Sequence, residues 1–125
     1  MADPLINRYF FEDRTLAVDP ISGERPVKLK FYAGGQWIES RTGQYMPCYN
    51  PSTGAVIALA PQCSAAEVEQ TIRAAVNAYP EWSNTPVSRR VQVLFRLKAL
   101  LDKHLEELTY LLAREMGKKW EEAMG

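Results

Sequence analysis

The sequence is poor in the residues that build metal and nucleophile sites. Its 125 residues include two cysteines, Cys48 and Cys63, and a single histidine, His104. There is no CxxC pair, and a zinc site would need more ligands than these. We therefore interpret both cysteines as reduced thiols of a cytoplasmic protein. The alternative is a Cys–His nucleophile pair, although neither cysteine lies in a recognisable nucleophile motif.

Excess charge and long apolar runs are also missing. Lysine and arginine number 15, aspartate and glutamate number 15, and the formal net charge is zero. Nucleic-acid binders usually carry a basic surplus, and no apolar run approaches the ~20 residues that span a bilayer. The N-terminus lacks the basic and apolar regions of a secretory signal. We expect neither a nucleic-acid partner nor a membrane partner.

Glycine-rich phosphate loops are absent too. Neither GxGxxG nor GxxxxGK[ST] occurs in the chain, so we assign no cofactor-binding residue. The pair Gly34-Gly35 is instead predicted to form a hairpin turn between residues 28–33 and 36–40, because two-residue turns favour positive φ. Residues 1–28 show no clear period and are predicted to be an N-terminal arm, with a turn at residues 19–23 and an aromatic patch at residues 9–11.

A second hairpin follows the first. Residues 45–49 and 55–60 are predicted to be its strands, and the second of these reads as a buried strand. Asn50, Pro51, Ser52, Thr53 and Gly54 supply the turn, because Pro51 presets φ and Gly54 accepts a positive φ. Pro61 is predicted to end the second strand.

Helical periodicity begins at Ser64. Ser64 and Glu67 form a capping box, in which the serine hydroxyl accepts from the Glu67 N–H and the carboxylate accepts from the Ser64 N–H. Apolar residues from Val68 to Tyr79 follow as one stripe. Pro80 is predicted to end this helix, which places Trp82 in the connector.

Three further helices are predicted. The second helix is predicted to begin with Thr85 as N-cap and Pro86 at the first helical position. Its apolar face is broad, so we expect it to be covered on more than one side. Residues 105–116 form the third helix, which Gly117 closes. Residues 118–124 read as the start of a fourth helix with an unfinished apolar stripe. We therefore expect the natural polypeptide to continue beyond these residues.

Charged side chains on the helices are predicted to be solvated. For the acidic residues, basic neighbours three or four positions away favour a solvated face over an acid–base pair. For the arginines, which share one helix while these acidic residues lie elsewhere, a solvated face is favoured over a partner-binding stripe. The acidic residues are Glu106, Glu107, Glu115, Glu121 and Glu122, and the basic residues are Arg89, Arg90 and Arg96. Together the elements predict an α/β fold of two β-hairpins followed by three to four helices, incomplete and without a visible catalytic set.

The ordered motifs resemble the N-terminal segment of the aldehyde dehydrogenase superfamily, over residues 29–125. The residues that carry the resemblance are Phe31 to Ile38, Asn50 to Gly54 with Val56-Ile57, Ala74-Ala75 with Tyr79 and Trp82, Arg90 with Leu94, and Glu115 to Lys118. Within the family, Thr85 to Arg96 is most similar to methylmalonate-semialdehyde dehydrogenases. The stretch from Gly117 to Ala123 is also similar to 1-pyrroline-5-carboxylate dehydrogenases, and Lys119 departs from the Thr or Pro usual in the family.

The resemblance implies NAD(P)-dependent oxidation of an aldehyde. A cysteine thiolate adds to the carbonyl, hydride passes to the nicotinamide, and the thioester is released to water or to coenzyme A. In that family the thiolate, the general-base glutamate, the oxyanion-hole asparagine and the cofactor-binding strands lie beyond residue 125. Residues 29–125 are then the N-terminal portion of the NAD-binding domain. We assign no catalytic residue and expect the chain to be inactive alone.

The resemblance also implies partners and one cation site. The partners are the remainder of the aldehyde dehydrogenase polypeptide and further copies in a homo-oligomer. Some members hold a structural monovalent cation with carbonyl oxygens before the NPxTG turn and an acid before the Gly-Lys pair, which correspond to Cys48, Tyr49 and Glu115. The alternative for Glu115 is a solvated or ion-paired carboxylate. The alternative for the whole chain is a free-standing, non-catalytic interaction module.

Overall fold

The computed structural model describes residues 11–12, 16–19 and 22–125, which fall into two compact units. The first unit ends at Ala75 and the second spans Val76–Gly125. The strands are β1 (Phe11–Glu12), β2 (Val27–Lys28), β3 (Phe31–Ala33), β4 (Gln36–Ile38), β5 (Tyr45–Tyr49) and β6 (Val56–Pro61). The helices are α1 (Ala65–Asn84), α2 (Val87–Lys103), α3 (Leu105–Met116) and α4 (Trp120–Met124). The predicted α/β class is confirmed.

A four-stranded sheet with the order β1-β2-β6-β5 forms the first unit's largest sheet. β1 pairs with β2 antiparallel, and β5 pairs with β6 antiparallel. The middle pair, β2 with β6, is parallel and sets Val27 opposite Ala58. Among the described strands β5 lies at an edge of this sheet, and an edge strand tolerates Pro47 because one of its sides needs no ladder donor. The β2–β6 pairing has no signal in the sequence, since two-residue strands carry no readable period.

The first predicted hairpin is confirmed as a separate two-stranded sheet. β3 and β4 pair antiparallel, with Phe31 opposite Ile38. Gly34 and Gly35 turn the chain with φ of 58° and 80°, the positive values that a tight two-residue turn needs. The ring centroids of Tyr32 and Trp37 lie 5.1 Å apart in an edge-on arrangement across the hairpin.

The second predicted hairpin is confirmed as β5 and β6, joined by the Asn50–Gly54 turn. The Asn50 N–H donates to the Ala55 carbonyl at 2.8 Å, and the Gly54 N–H donates to the Asn50 carbonyl at 2.8 Å. The Asn50 side chain accepts from the Ser52 N–H at 2.9 Å. The expectation of a buried strand over residues 55–60 is wrong, because every residue of β6 is half-buried.

The turn predicted at residues 19–23 is only partly visible, because Pro20 and Ile21 lie outside the described residues. On either side of them, the Gly23 N–H donates to the Asp19 carbonyl at 2.9 Å. The Asp19 N–H donates to the Glu24 carbonyl at 2.9 Å. Tyr9 and Phe10 of the aromatic patch also lie outside the described residues, whereas Phe11 begins β1.

α1 begins as predicted but ends later. Glu67 and Ser64 make the reciprocal bonds of the capping box, at 2.8 Å from the Ser64 N–H and 3.3 Å from the Glu67 N–H. The expectation that Pro80 ends the helix is wrong, since α1 includes Pro80 and Trp82 and runs to Asn84. The Ser83 hydroxyl donates to the Pro80 carbonyl at 3.1 Å and helps to satisfy this last turn.

The start of α2 differs from the prediction by one position. Pro86 is the N-cap, with extended ψ of 141°, and Val87 is the first helical residue. Thr85 does not cap α2, because its hydroxyl donates back to the Glu81 carbonyl at 2.8 Å and closes α1. α3 has the predicted bounds, and Gly117 ends it in the left-handed conformation with φ of 66°.

Apolar burial is slight in the part of the chain that the structure describes. Ala123 and Pro26 are the only apolar residues there that are buried. The predicted stripe of α1 is exposed at Val68, Ile72, Val76 and Tyr79. Among the described helices, none is long and apolar enough to cross a membrane. The described helices therefore form without a hydrophobic core of their own.

Candidate functional site

A polar cluster of the first unit, at the start of α1, gathers several donors around one carboxylate. We call Glu67 with Ser40, Arg41 and Ser64 the Glu67 clamp. The Arg41 N–H donates to Glu67 Oε1 at 2.7 Å. The Ser64 N–H donates to Oε2 at 2.8 Å, and the hydroxyls of Ser40 and Ser64 donate to the same oxygen at 3.0 Å. Four donors thus converge on one carboxylate, which is only 7% exposed.

The chemistry of the clamp is that of a fixed anion. The backbone N–H of Arg41, and next that of Ser64, lower the pKa of Glu67 from 4.5 to about 2. Burial opposes this shift, and the two serine hydroxyls add to it. A carboxylate with so low a pKa is a poor proton acceptor at neutral pH. The clamp therefore positions the chain between β4 and β5 against α1 and is not a general base.

A chain of hydroxyls extends the clamp toward β5. Ser40 Oγ and Thr42 Oγ1 lie 3.0 Å apart. The Thr42 hydroxyl donates to the Gln62 carbonyl at 2.8 Å and accepts from the Gln44 N–H at 3.1 Å. The connection between the two hairpins is therefore held by side-chain hydrogen bonds on one side to Glu67 of α1 and on the other to Gln62, which follows β6.

A second buried polar contact joins the N-terminal arm to the Asn50–Gly54 turn. The Asn50 amide donates to Asp19 Oδ2 at 3.5 Å, and both residues are buried. Since Asn50 also makes the backbone bonds of the turn, this contact fixes the turn relative to the arm.

The predicted cation ligands lie in different units. Cys48 and Tyr49 are on β5 in the first unit, at the register shift of the ladder. Glu115 is on α3 in the second unit and is exposed. In the described ranges no group of three or more His, Cys, Asp or Glu side chains could hold a metal. That finding does not address carbonyl oxygens, so the site at Cys48, Tyr49 and Glu115 stays a prediction.

The residues considered for nucleophilic chemistry have other surroundings. Cys48 and Cys63 are free thiols, each half-buried. His104 sits at the junction of α2 and α3, with Nδ1 3.3 Å from Glu107 Oε2. It is thus a helix-end histidine.

Polar groups of the second unit are less well satisfied than those of the clamp. Within the described residues, the buried side-chain atoms without a hydrogen-bond partner include Arg90 Nε and Glu107 Oε1. Arg90 lies on α2 and Glu107 on α3. The expected solvated face is therefore wrong for Arg90 and Glu107, which are half-buried.

The order of the motifs and the fold point to one family. Residues 37–125 match the model of the aldehyde dehydrogenase family. The match covers well over half of the chain, and the chain belongs to this family. The predicted membership is thus confirmed.

Known proteins of this family resemble the chain in sequence and structure. Malonate-semialdehyde dehydrogenase 2 of Geobacillus kaustophilus (strain HTA426) is 46% identical over 97 residues, which are 78% of this chain and 20% of that protein. A candidate methylmalonate-semialdehyde dehydrogenase from Sinorhizobium meliloti 1021, complexed with NAD, superposes with a TM-score of 0.72 at 29% identity. The superposed region covers 83% of this chain and 21% of the Sinorhizobium meliloti chain.

A second solved structure extends the likeness to another member of the family. NADP-dependent glyceraldehyde-3-phosphate dehydrogenase from Bacillus halodurans C-125, complexed with NADP, has a TM-score of 0.75 at 30% identity, covering 77% of this chain and 20% of its own. The chain therefore spans about a fifth of the length of the relatives it matches.

Proposed function

We propose that this chain is the N-terminal part of an NAD(P)-dependent aldehyde dehydrogenase that oxidises malonate semialdehyde or methylmalonate semialdehyde. The observation that carries the proposal is the 46% identity over 97 residues with a malonate-semialdehyde dehydrogenase. The geometry agrees with a scaffolding role, because the strongest polar cluster, the Glu67 clamp, fixes backbone and offers no acid–base pair. Residues 29–125 form the first portion of the cofactor domain, and residues 1–28 form its arm.

The cofactor in this proposal is NAD or NADP, and the acyl acceptor of the complete enzyme is water or coenzyme A. The solved relatives complexed with NAD and with NADP support the nicotinamide nucleotide. Such a cofactor accepts the hydride of the aldehyde. We assign none of its contacts to this chain, whose sequence holds no glycine-rich phosphate loop. The complete enzyme is proposed to be a cytoplasmic homo-oligomer.

A structural cation belongs to the same proposal. The carbonyl oxygens of Cys48 and Tyr49 and the carboxylate of Glu115 would ligate a monovalent ion, since hard cations favour oxygen ligands. None of these groups acts on the substrate.

The test uses a full-length polypeptide in which this chain replaces the matching fifth of the Geobacillus kaustophilus protein; we call it the replacement enzyme. We expect it to form NADH or NADPH with malonate or methylmalonate semialdehyde faster than with acetaldehyde. Mass spectrometry of reactions with coenzyme A shows whether an acyl thioester is formed. The isolated chain, given the same substrates, should produce no reduced nucleotide.

Two results would contradict the proposal. Turnover by the isolated chain would place catalytic groups within these 125 residues. An inactive replacement enzyme, together with a monodisperse and cooperatively unfolding isolated chain, would favour the free-standing interaction module instead.

A further inference from the structure

β5 is the longer of the two edge strands of the four-stranded sheet. It has five residues, whereas β1 at the opposite edge has two among the described residues. An edge strand presents backbone N–H and C=O groups on which a strand of another chain can pair. A length of about 5–6 residues is the commonest for a strand in a sheet. Of the two edges, β5 is therefore the one long enough to accept a second copy of this chain.

Backbone hydrogen bonds show which way the residues of β5 face. Opposite residues of an antiparallel pair alternate between bonded and non-bonded pairs, so every second residue of β5 directs its backbone groups toward β6. The Gln44 carbonyl accepts from the Gln62 N–H at 2.9 Å. Six positions later, the Asn50 N–H donates to the Ala55 carbonyl at 2.8 Å. Because both ends of the strand bond inward at even-numbered positions, the odd-numbered residues face the outer edge, and these are Tyr45, Pro47 and Tyr49.

Pro47 occupies the middle of this outer row. Its partner across the ladder is Leu59, whose carbonyl accepts from the Leu29 N–H at 3.0 Å, on the side of β2. Leu59 therefore directs its backbone groups away from β5, and Pro47 and Leu59 form a non-bonded pair. The nitrogen of Pro47, which carries no hydrogen, thus points to the outer edge of the sheet.

A second copy that paired with this edge would meet the missing donor at the centre of the contact. Two β5 strands related by a two-fold axis through Pro47 would pair antiparallel, with Pro47 opposite its own copy. Each central residue would then donate its N–H to the carbonyl of the other. Both bonds are lost, because neither proline has an N–H. The register shift between Cys48 and Tyr49 twists the same edge locally.

We propose that Pro47 prevents a second copy of this chain from adding as a strand to the outer edge of β5. Proline and bulges are both devices that protect edge strands from such pairing, and β5 has them at neighbouring positions. Pro47 would act in this way whether the chain belongs to an enzyme or is an interaction module. Association through the exposed apolar helices would leave the β5 edge unpaired, so the two kinds of association can be distinguished.

The test restores the missing donor in this chain with Pro47→Val and, separately, with Pro47→Ala. Hydrogen exchange of the Tyr45 and Tyr49 N–H groups is measured as the protein concentration is raised, and thioflavin T fluorescence reports intermolecular sheet. In the wild type, the exchange of these two groups should not depend on concentration. In both variants we expect exchange to slow at least about tenfold at high concentration, because carbonyls of a second β5 then accept both hydrogens.

Pro61→Val is the matched control. Pro61 lies opposite Tyr45 in the ladder, but it belongs to β6, which has a neighbouring strand on each side. Its replacement opens no edge, so the exchange of the Tyr45 and Tyr49 N–H groups should stay independent of concentration. An equal effect of Pro61→Val would assign the result to the loss of any proline and would overturn the proposal.

Four other results would also overturn it. Concentration-dependent protection in the wild type would show that Pro47 does not prevent the pairing. Unchanged exchange in both Pro47 variants, with the fold retained by circular dichroism, would show that the edge rejects a second copy even with its donor restored. A change in Pro47→Val alone would assign the effect to the valine side chain and not to the N–H. Loss of the fold in both variants would give Pro47 a role inside its own sheet.

Discussion

Glu67 joins a local cap to a contact far away in the sequence. Its bonds to Ser64 belong to the first turn of α1, whereas its bond to the Arg41 N–H crosses 26 residues. Because all four groups donate, they favour the ionised carboxylate, which accepts on both oxygens, over the protonated acid, one of whose oxygens becomes a donor. Between the two pKa values, Glu67 is therefore ionised in the folded chain and protonated in the unfolded chain.

We expect Glu67→Gln to lower the free energy of unfolding at neutral pH, because the amide turns a donor toward the donors of the clamp. It should also change the acid response. With a pKa of about 2 in the folded state and 4.5 in the unfolded state, Glu67 contributes stability fully above pH 4.5. That contribution fades as the pH falls from 4.5 toward 2. Urea titrations across this range should show a shallower pH slope for Glu67→Gln.

Glu69→Gln is the matched control, since Glu69 lies in the same helical turn but pairs only with exposed Arg73 at 2.9 Å. It should leave the slope unchanged, because exposed pairs contribute little. Identical slopes for Glu67→Gln and the wild type would show that the clamp does not govern the acid response.

α1 passes through a residue that ordinarily stops helices. Pro80 lacks the N–H that would donate to the carbonyl of Val76, and yet the helix continues to Asn84. The final turn is held instead by side chains, with the Thr85 hydroxyl on the Glu81 carbonyl. The proline is thus tolerated, at a cost to the helix.

Pro80→Ala should stabilise the chain by between about 1 and 3 kcal/mol, since it restores a backbone donor and removes the ring from the helix. Chemical denaturation gives the free energy, and far-ultraviolet circular dichroism reports the helical content. Glu81→Ala, one position along, should have a much smaller effect. A loss of stability in Pro80→Ala would show that the fixed proline φ aids α1 more than the missing bond harms it.

The elements that sequence patterns predicted are those whose signals are local. Gly34-Gly35, the Ser64–Glu67 box and Gly117 each act within a few residues, and each was placed correctly. The pairing of β2 with β6 and the bond from Glu67 to Arg41 are long-range and have no local pattern. Pro80 was misjudged because its effect depends on the bonds that surround it. The cation site stays a prediction, since its proposed ligands come from different units.

The molecule as a whole displays apolar helix surface. Exposed large side chains occur on all four helices, among them Tyr79, Phe95, Leu108 and Trp120. Monomeric proteins rarely expose contiguous apolar patches beyond a few hundred Å².

Membership of the family could be predicted from the order of the motifs. The catalytic groups could not be predicted, because neither cysteine lies in a recognisable nucleophile motif.

We expect the isolated chain to self-associate and to bind a hydrophobic dye. Its sedimentation mass should rise with protein concentration, because association removes apolar surface from water. The replacement enzyme should bind less dye per molecule, since the same surface is covered there. A monodisperse, dye-free monomer at high concentration would contradict this expectation and the incompleteness on which it is based.

The parallel pairing of β2 with β6 also sets a timetable for synthesis. Val27 meets Ala58, which leaves the ribosome 31 residues later. At about 5–20 residues per second, β2 waits about 2–6 s for its neighbour. β3 and β4, joined by two glycines, can pair during that interval. The hairpin can therefore pair while β6 is still being made, whereas β2 can join its parallel neighbour only after β6 has emerged.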